Sequence, residues 1–153
     1  MQNKPSHYFV IRSPYAQLVL TGVKKFEWRS NASVFANKHI AISVSKSLAH
    51  EEDLQDDIAY WEKRLKLSMR RKTKKERDAT IELFQKNRAK AERLFKKTNG
   101  SGMIIGEIVT GEACDYDGDL AVPILKFKLW PEAKWIASPG GLGLRFMPKV
   151  NRK

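Results

Sequence analysis

Residues 49–99 contain neither proline nor glycine, and this constrains the 153-residue chain more than any other feature. Proline and glycine are the residues that most strongly oppose helix interiors. A stretch of this length lacking both, flanked by segments that hold all six prolines and, apart from Gly100, all the glycines, reads as long helix set into a body of strands and turns. Leu54, Ile58, Trp61 and Leu65 fall at i, i+4, i+7 and i+11, one helical face. Acids (Glu51, Glu52, Asp53, Asp56, Asp57) open that helix and bases (Lys63, Arg64, Lys66) close it, as the helix dipole favours. Thr73-Lys74-Lys75-Glu76 is a capping box that starts a second helix. Ile81, Phe84, Ala91 and Phe95 form its apolar stripe, and Asn99-Gly100 ends it. The expectation is an antiparallel two-helix hairpin over 49–100, bent near Arg70–Thr73, inserted into a single domain whose body is residues 1–48 and 101–153.

The hairpin is also where the charge gathers. The chain carries 29 Lys+Arg against 17 Asp+Glu, a net +12. Between Lys63 and Arg77 there are nine basic residues and one acid, Glu76. Like charges crowded at a bend repel one another unless an anion neutralises them, so the run points to phosphate contact. Arg70, Arg71, Lys72, Lys74, Lys75 and Arg77 are the candidates for contacts to a nucleic-acid backbone. A solvated helix surface is the plainer alternative, and in a eukaryotic cell the same run would serve as a nuclear-import signal. A membrane partner is disfavoured because the bend has no large apolar residues.

The remaining composition narrows the class. One cysteine, Cys114, excludes an internal disulfide and a multi-cysteine metal site, and it reads as a buried or idle thiol. His7, His39 and His50 have no ligand spacing, so no metal and no cofactor are expected. Asp115-Tyr116-Asp117-Gly118-Asp119 lacks the closing positions of a calcium loop and reads as an acidic surface turn. Ser138-Pro139-Gly140-Gly141-Leu142-Gly143 opens no helix and reads as a turn. No apolar run reaches membrane-spanning length, and the first seven residues lack the apolar core of a signal peptide. A reducing, cytoplasmic setting is the default.

In the body, His7–Arg12 alternates like a strand, and Ser13-Pro14 starts a short helix that Gly22 ends. Further strands are expected at 25–29, 38–45, 103–110, 124–130, 134–137 and 142–147. In the first of these, 25–29, alternation puts Lys25, Glu27 and Arg29 on one face and sends Phe26 and Trp28 to the core. The fold class is therefore α+β: a small mixed, partly closed β-barrel with one early helix.

Gly22-Val23-Lys24-Lys25-Phe26-Glu27-Trp28-Arg29 fits G-x-K-x-x-E-x-R, and in this it resembles the ASCH family of the PUA-like superfold. Arg12-Ser13-Pro14-Tyr15-Ala16, Ala41-Ile42-Ser43-Val44-Ser45-Lys46, Gly106-Glu107-Ile108 and Gly140–Phe146 resemble other family segments, in order, across the body. The hairpin has no counterpart in that pattern. The resemblance implies a PUA-like pseudobarrel with a cleft beside the first helix. It makes Tyr15, Lys24, Glu27, Arg29 and Lys46 the candidate nucleotide-binding residues. Members are thought to bind RNA or modified nucleosides, and one branch resembles amidohydrolases acting on acetylated cytidine. That branch has threonine where this chain has Glu27, so Lys24 and Glu27 are catalytic candidates only if the chain is an enzyme. The preferred expectation is a binder of RNA or single-stranded DNA ahead of duplex DNA. An amidohydrolase or ribonuclease is the alternative. A protein-binding adaptor acting through the helical insert is the third, and an exposed apolar stripe at Ile81, Phe84 and Phe95 would favour it.

Overall fold

The proline-free segment is a helical hairpin. In the structure, a computed structural model describing residues 4–149, its helices are α2 (Glu51–Ser68) and α3 (Lys74–Thr98). They run antiparallel, because Gln55 bonds Glu92 (3.1 Å) while Gln85 bonds Glu62 (3.3 Å) further along. At the base, Asn99 clasps the Ala49 backbone through both its amide oxygen (3.0 Å) and its amide nitrogen (2.9 Å). Thr73 caps α3 as its spacing predicts, accepting from the Glu76 N–H at 3.2 Å and donating to the Glu76 carboxylate at 3.0 Å.

The hairpin lies between β3 and β4 of a mixed sheet formed by β1 (His7–Ile11), β2 (Phe26–Trp28), β3 (His39–Val44), β4 (Met103–Thr110), β5 (Cys114–Tyr116), β6 (Asp119–Leu129), β7 (Ile136–Ala137) and β8 (Arg145–Phe146). A short helix, α1 (Tyr15–Leu20), follows β1. The main path is β2-β6-β4-β3-β1-β8, with β5 added to β6 and β7 to β4. Every pairing is antiparallel except β1 with β3. The sheet is open, ending on β2 and β8. The expected strand at 124–130 begins five residues earlier: β6 starts at Asp119, and the acidic turn is the tip of a β5–β6 hairpin with positive φ at Asp117 and Gly118. Pro123 marks the point where β6 leaves β2 and joins β4.

Three apolar clusters organise these layers. The largest lies between the sheet and α1, with Phe9, Ile11, Val19, Leu20, Ile42 and Ile105 among its members. A second joins the body to the hairpin: Leu18 and Val23 meet Leu54, Ile58, Trp61, Phe84 and Phe95. The third, Tyr8, Ala41 and Ile104, covers the opposite sheet face beneath Trp130 and Met147. Burying side chains such as Leu54 and Ile58 contributes about 1.5–3 kcal/mol each, so the hairpin base is a structural part of the domain. The stripe that would favour an adaptor is not exposed: Phe84 and Phe95 are buried and Ile81 is half-buried. Phe26 and Trp28, expected in the core of the body, pack half-buried against the hairpin.

Gly22 carries the chain from α1 toward β2. Its φ of +83° suits glycine, and a Cβ there would lie 2.6 Å from the Phe127 ring. The amides of Val23 and Lys24 both donate to the Leu18 carbonyl at 3.1 Å, and this tight turn fixes where Lys24 emerges. Ser13 does not cap α1 with its side chain; its hydroxyl accepts from buried Gln17 (3.0 Å), which also donates to Thr98 on α3 (3.0 Å). Among the described residues no helix is long and apolar enough to cross a membrane.

Candidate functional site

Where α1, β2, α2 and the β5–β6 turn converge, a cleft of about 380 Å³ opens. Its walls are aromatic: Tyr15, Trp28 and Tyr60. Its polar groups are Lys24, Glu27, Asp57, Asp117 and Asp119. Trp28 is held by its indole N–H donating to the Tyr116 carbonyl at 3.0 Å, and Tyr60 packs edge-on against Trp61 with centroids 5.3 Å apart.

Lys24 lies at the centre and is only 5% exposed. Its ammonium sits 5.2 Å from the Tyr15 ring centroid, 4.7 Å from Trp28 and 6.0 Å from Trp61, an aromatic surround that stabilises a cation. Burial still pushes its pKa down, opposed by the charges of Glu27 and Asp57. Glu27 is buried on β2, and burial pushes its carboxyl up while Lys24 and Arg29 pull it back. Asp57, half-buried on α2, is likewise raised by burial and pulled back by Lys24 and the neighbouring Trp61 indole.

These groups sense one another without pairing. Among the described residues the Lys24 ammonium forms no ion pair with either carboxylate. Among the described residues, Glu27 Oε2, Asp57 Oδ2 and the Trp61 indole nitrogen are buried without a hydrogen bond of good geometry, although the indole N–H lies close enough to Asp57 to act on its charge. An unmet acceptor in such a place costs on the order of 1–3 kcal/mol, more if charged. No cluster of three or more His, Cys, Asp or Glu side chains among the described residues could hold a metal ion.

Of the residues expected at the cleft, Tyr15, Lys24 and Glu27 line it. Arg29 does not. Its guanidinium lies over the Phe9 and Phe35 rings, 4.9 and 5.4 Å from their centroids, and donates to the Val10 carbonyl at 3.0 Å. It sits behind Glu27 and acts on it only through charge. Lys46 is also elsewhere: it is exposed, with its stem beside Gly102. Cys114, expected buried or idle, is exposed on β5.

Sequence reasoning missed Asp57, Tyr60, Asp117 and Asp119. Asp57 and Tyr60 come from the hairpin, so the inserted element builds one wall of the cleft. The signal was present, since Asp57, Tyr60, Trp61 and Arg64 share one side of α2 at i, i+3, i+4 and i+7. Arg64 closes that wall by pairing with Asp117 and stacking 5.4 Å from the Trp61 ring.

Beyond the cleft, every side chain from Arg70 to Ala79 is exposed. Among the described residues, none of Arg70, Arg71, Lys72, Lys74, Lys75 and Arg77 pairs with a carboxylate. Arg77 is partly engaged, donating to the Lys72 carbonyl across the bend at 3.0 Å. The helical rise puts the end of α2 about 12 Å beyond Tyr60, so the basic tip and the cleft share one element. In comparisons with known proteins, no family model and no curated protein matches the chain.

Proposed function

We propose that the protein binds nucleic acid, single-stranded RNA or DNA ahead of duplex, taking one base into the cleft and holding the phosphate backbone along the hairpin tip. The ASCH-like signature in a PUA-like body is part of this reading, because Gly22, Lys24 and Glu27 are the residues that form the cleft floor and its turn. The observation that carries it is the unpaired Lys24–Glu27–Asp57 group between aromatic walls, with Asp57 about 20 Å along the hairpin from a bend of unpaired cations. Aromatic faces accept a base by stacking, and cations along a projecting element accept its backbone. Phosphate belongs at the tip and not in the cleft, where Glu27, Asp57, Asp117 and Asp119 outnumber Lys24. A duplex hides the stacked faces and Watson–Crick edges of its bases, and so a cleft for one base favours single strands.

The test is binding of the purified protein to matched RNA, single-stranded DNA and duplex DNA across a salt series. Tighter binding of single strands, with log affinity falling linearly with log salt, is expected. Preference for duplex, or no binding at 50 mM salt, contradicts the reading.

One observation favours hydrolysis of a modified nucleoside as the second reading: a buried lysine with a lowered pKa beside two carboxylates is suited to moving protons. The cleft lining, however, contains no serine, threonine or cysteine to attack an acyl group. Acetylated cytidine should therefore be deacetylated no faster by the wild type than by Lys24→Ala, as measured by chromatography of the released cytidine. Turnover that depends on Lys24 would make the enzyme reading the correct one.

A further inference from the structure

We infer that the base the cleft selects is guanine, recognised through its Watson–Crick edge; this rests on the cleft being a base site. Ionised carboxylates accept hydrogen bonds and donate none, and an ammonium donates and accepts none. The cleft lining therefore offers carboxylate acceptors from Glu27 and Asp57, neither held in an ion pair, and a donor at Lys24, which is free of any carboxylate partner among the described residues. A base that satisfies the floor must bring at least two N–H groups and one acceptor.

Guanine brings them on one edge: N1–H and the N2 amino group donate, and O6 accepts. Adenine has a single amino group beside the N1 lone pair, so one carboxylate would face an acceptor. Cytosine is worse, with one amino group and two acceptors. Uracil has one N–H between two carbonyls. An acceptor forced against a buried carboxylate leaves both unpaired, and sites built around hydrogen bonds discriminate strongly on that ground. The aromatic walls add stacking for any base and prefer none strongly, so the choice falls to the floor. The volume of about 380 Å³ is ample for a purine ring. Lys24 is oriented for this role by the three rings around its ammonium, and Asp57 by its place on the docked face of α2.

The experiment uses the full-length protein and nine-nucleotide uridine strands carrying one central guanosine, inosine, adenosine or cytidine. Binding is followed at fixed salt by tryptophan fluorescence and anisotropy. Guanosine should bind on the order of tenfold more tightly than adenosine or cytidine, with inosine, which lacks the N2 amino group, in between. Glu27→Gln and Asp57→Asn should each reduce the preference for guanosine over adenosine and cytidine; Asp57 is half-buried, so its variant stands in if Glu27→Gln does not fold. Tightest binding of the adenosine or cytidine strand overturns the guanine assignment and leaves the cleft as a base site. Equal binding of all four overturns base selection by the cleft altogether. No binding of any strand overturns the nucleic-acid reading itself.

Discussion

Replacing Arg70, Arg71, Lys72, Lys74, Lys75 and Arg77 together by glutamine will weaken binding to every strand and flatten its salt dependence. Each phosphate contact releases counterions and contributes about 0.7–0.9 to the slope of log affinity against log salt. If all six engage, a factor on the order of a thousand in affinity between 50 and 200 mM salt disappears with them. The fold should persist, since all six are exposed and the apolar contacts of the hairpin lie nearer its base. Only Arg77 has a structural bond, to the Lys72 carbonyl, so Arg77→Gln alone serves as the control for a loosened bend. An unchanged slope in a folded six-fold variant would remove the tip from the interface.

The second large effect concerns Trp61. It ties α2 to β2: its ring stacks on Phe26 at 6.1 Å, lies 5.7 Å from Trp28, and supports Tyr60 and Arg64 on the cleft wall. It is 4% exposed. Trp61→Ala should cost about 3–5 kcal/mol, the range for deleting a buried aromatic side chain. At a size near 150 residues that is a fall in Tm of roughly 10 °C, read by calorimetry or circular dichroism. Base selectivity should decline with it, because Asp57 and Tyr60 lose the packing that positions them. A melting temperature unchanged within 2 °C would mean that the hairpin is not docked through this residue.

The hairpin was legible because its signals are local: no helix breakers, a 3.6-residue apolar period, and a threonine cap three residues before a glutamate. The β5–β6 hairpin was less so. Its strands begin with polar residues, and Pro123 in the middle of β6 argues against a strand; it is tolerated where the strand changes partners. Three of the eight residues lining the cleft were legible because they lie close together in sequence. Tyr15, Lys24 and Glu27 fall within thirteen residues of one another, whereas Asp57 and Asp117 reach the site only through tertiary packing. Arg29 shows the limit of alternation. Two residues beyond Glu27, past the three-residue strand β2, it turns onto Phe9 and Phe35 and away from the cleft.

The central claim is that one strand occupies both places at once, a base in the cleft and phosphates along the tip. Ultraviolet crosslinking of a guanosine-containing single-stranded RNA, followed by mass spectrometry of the adducted peptides, tests it most directly. The account predicts adducts on Tyr15, Trp28 or Tyr60 and on the peptide spanning Arg70–Arg77, both suppressed by unlabelled strand. Adducts confined to other surfaces, or at the tip alone with the cleft aromatics unmodified, would contradict it.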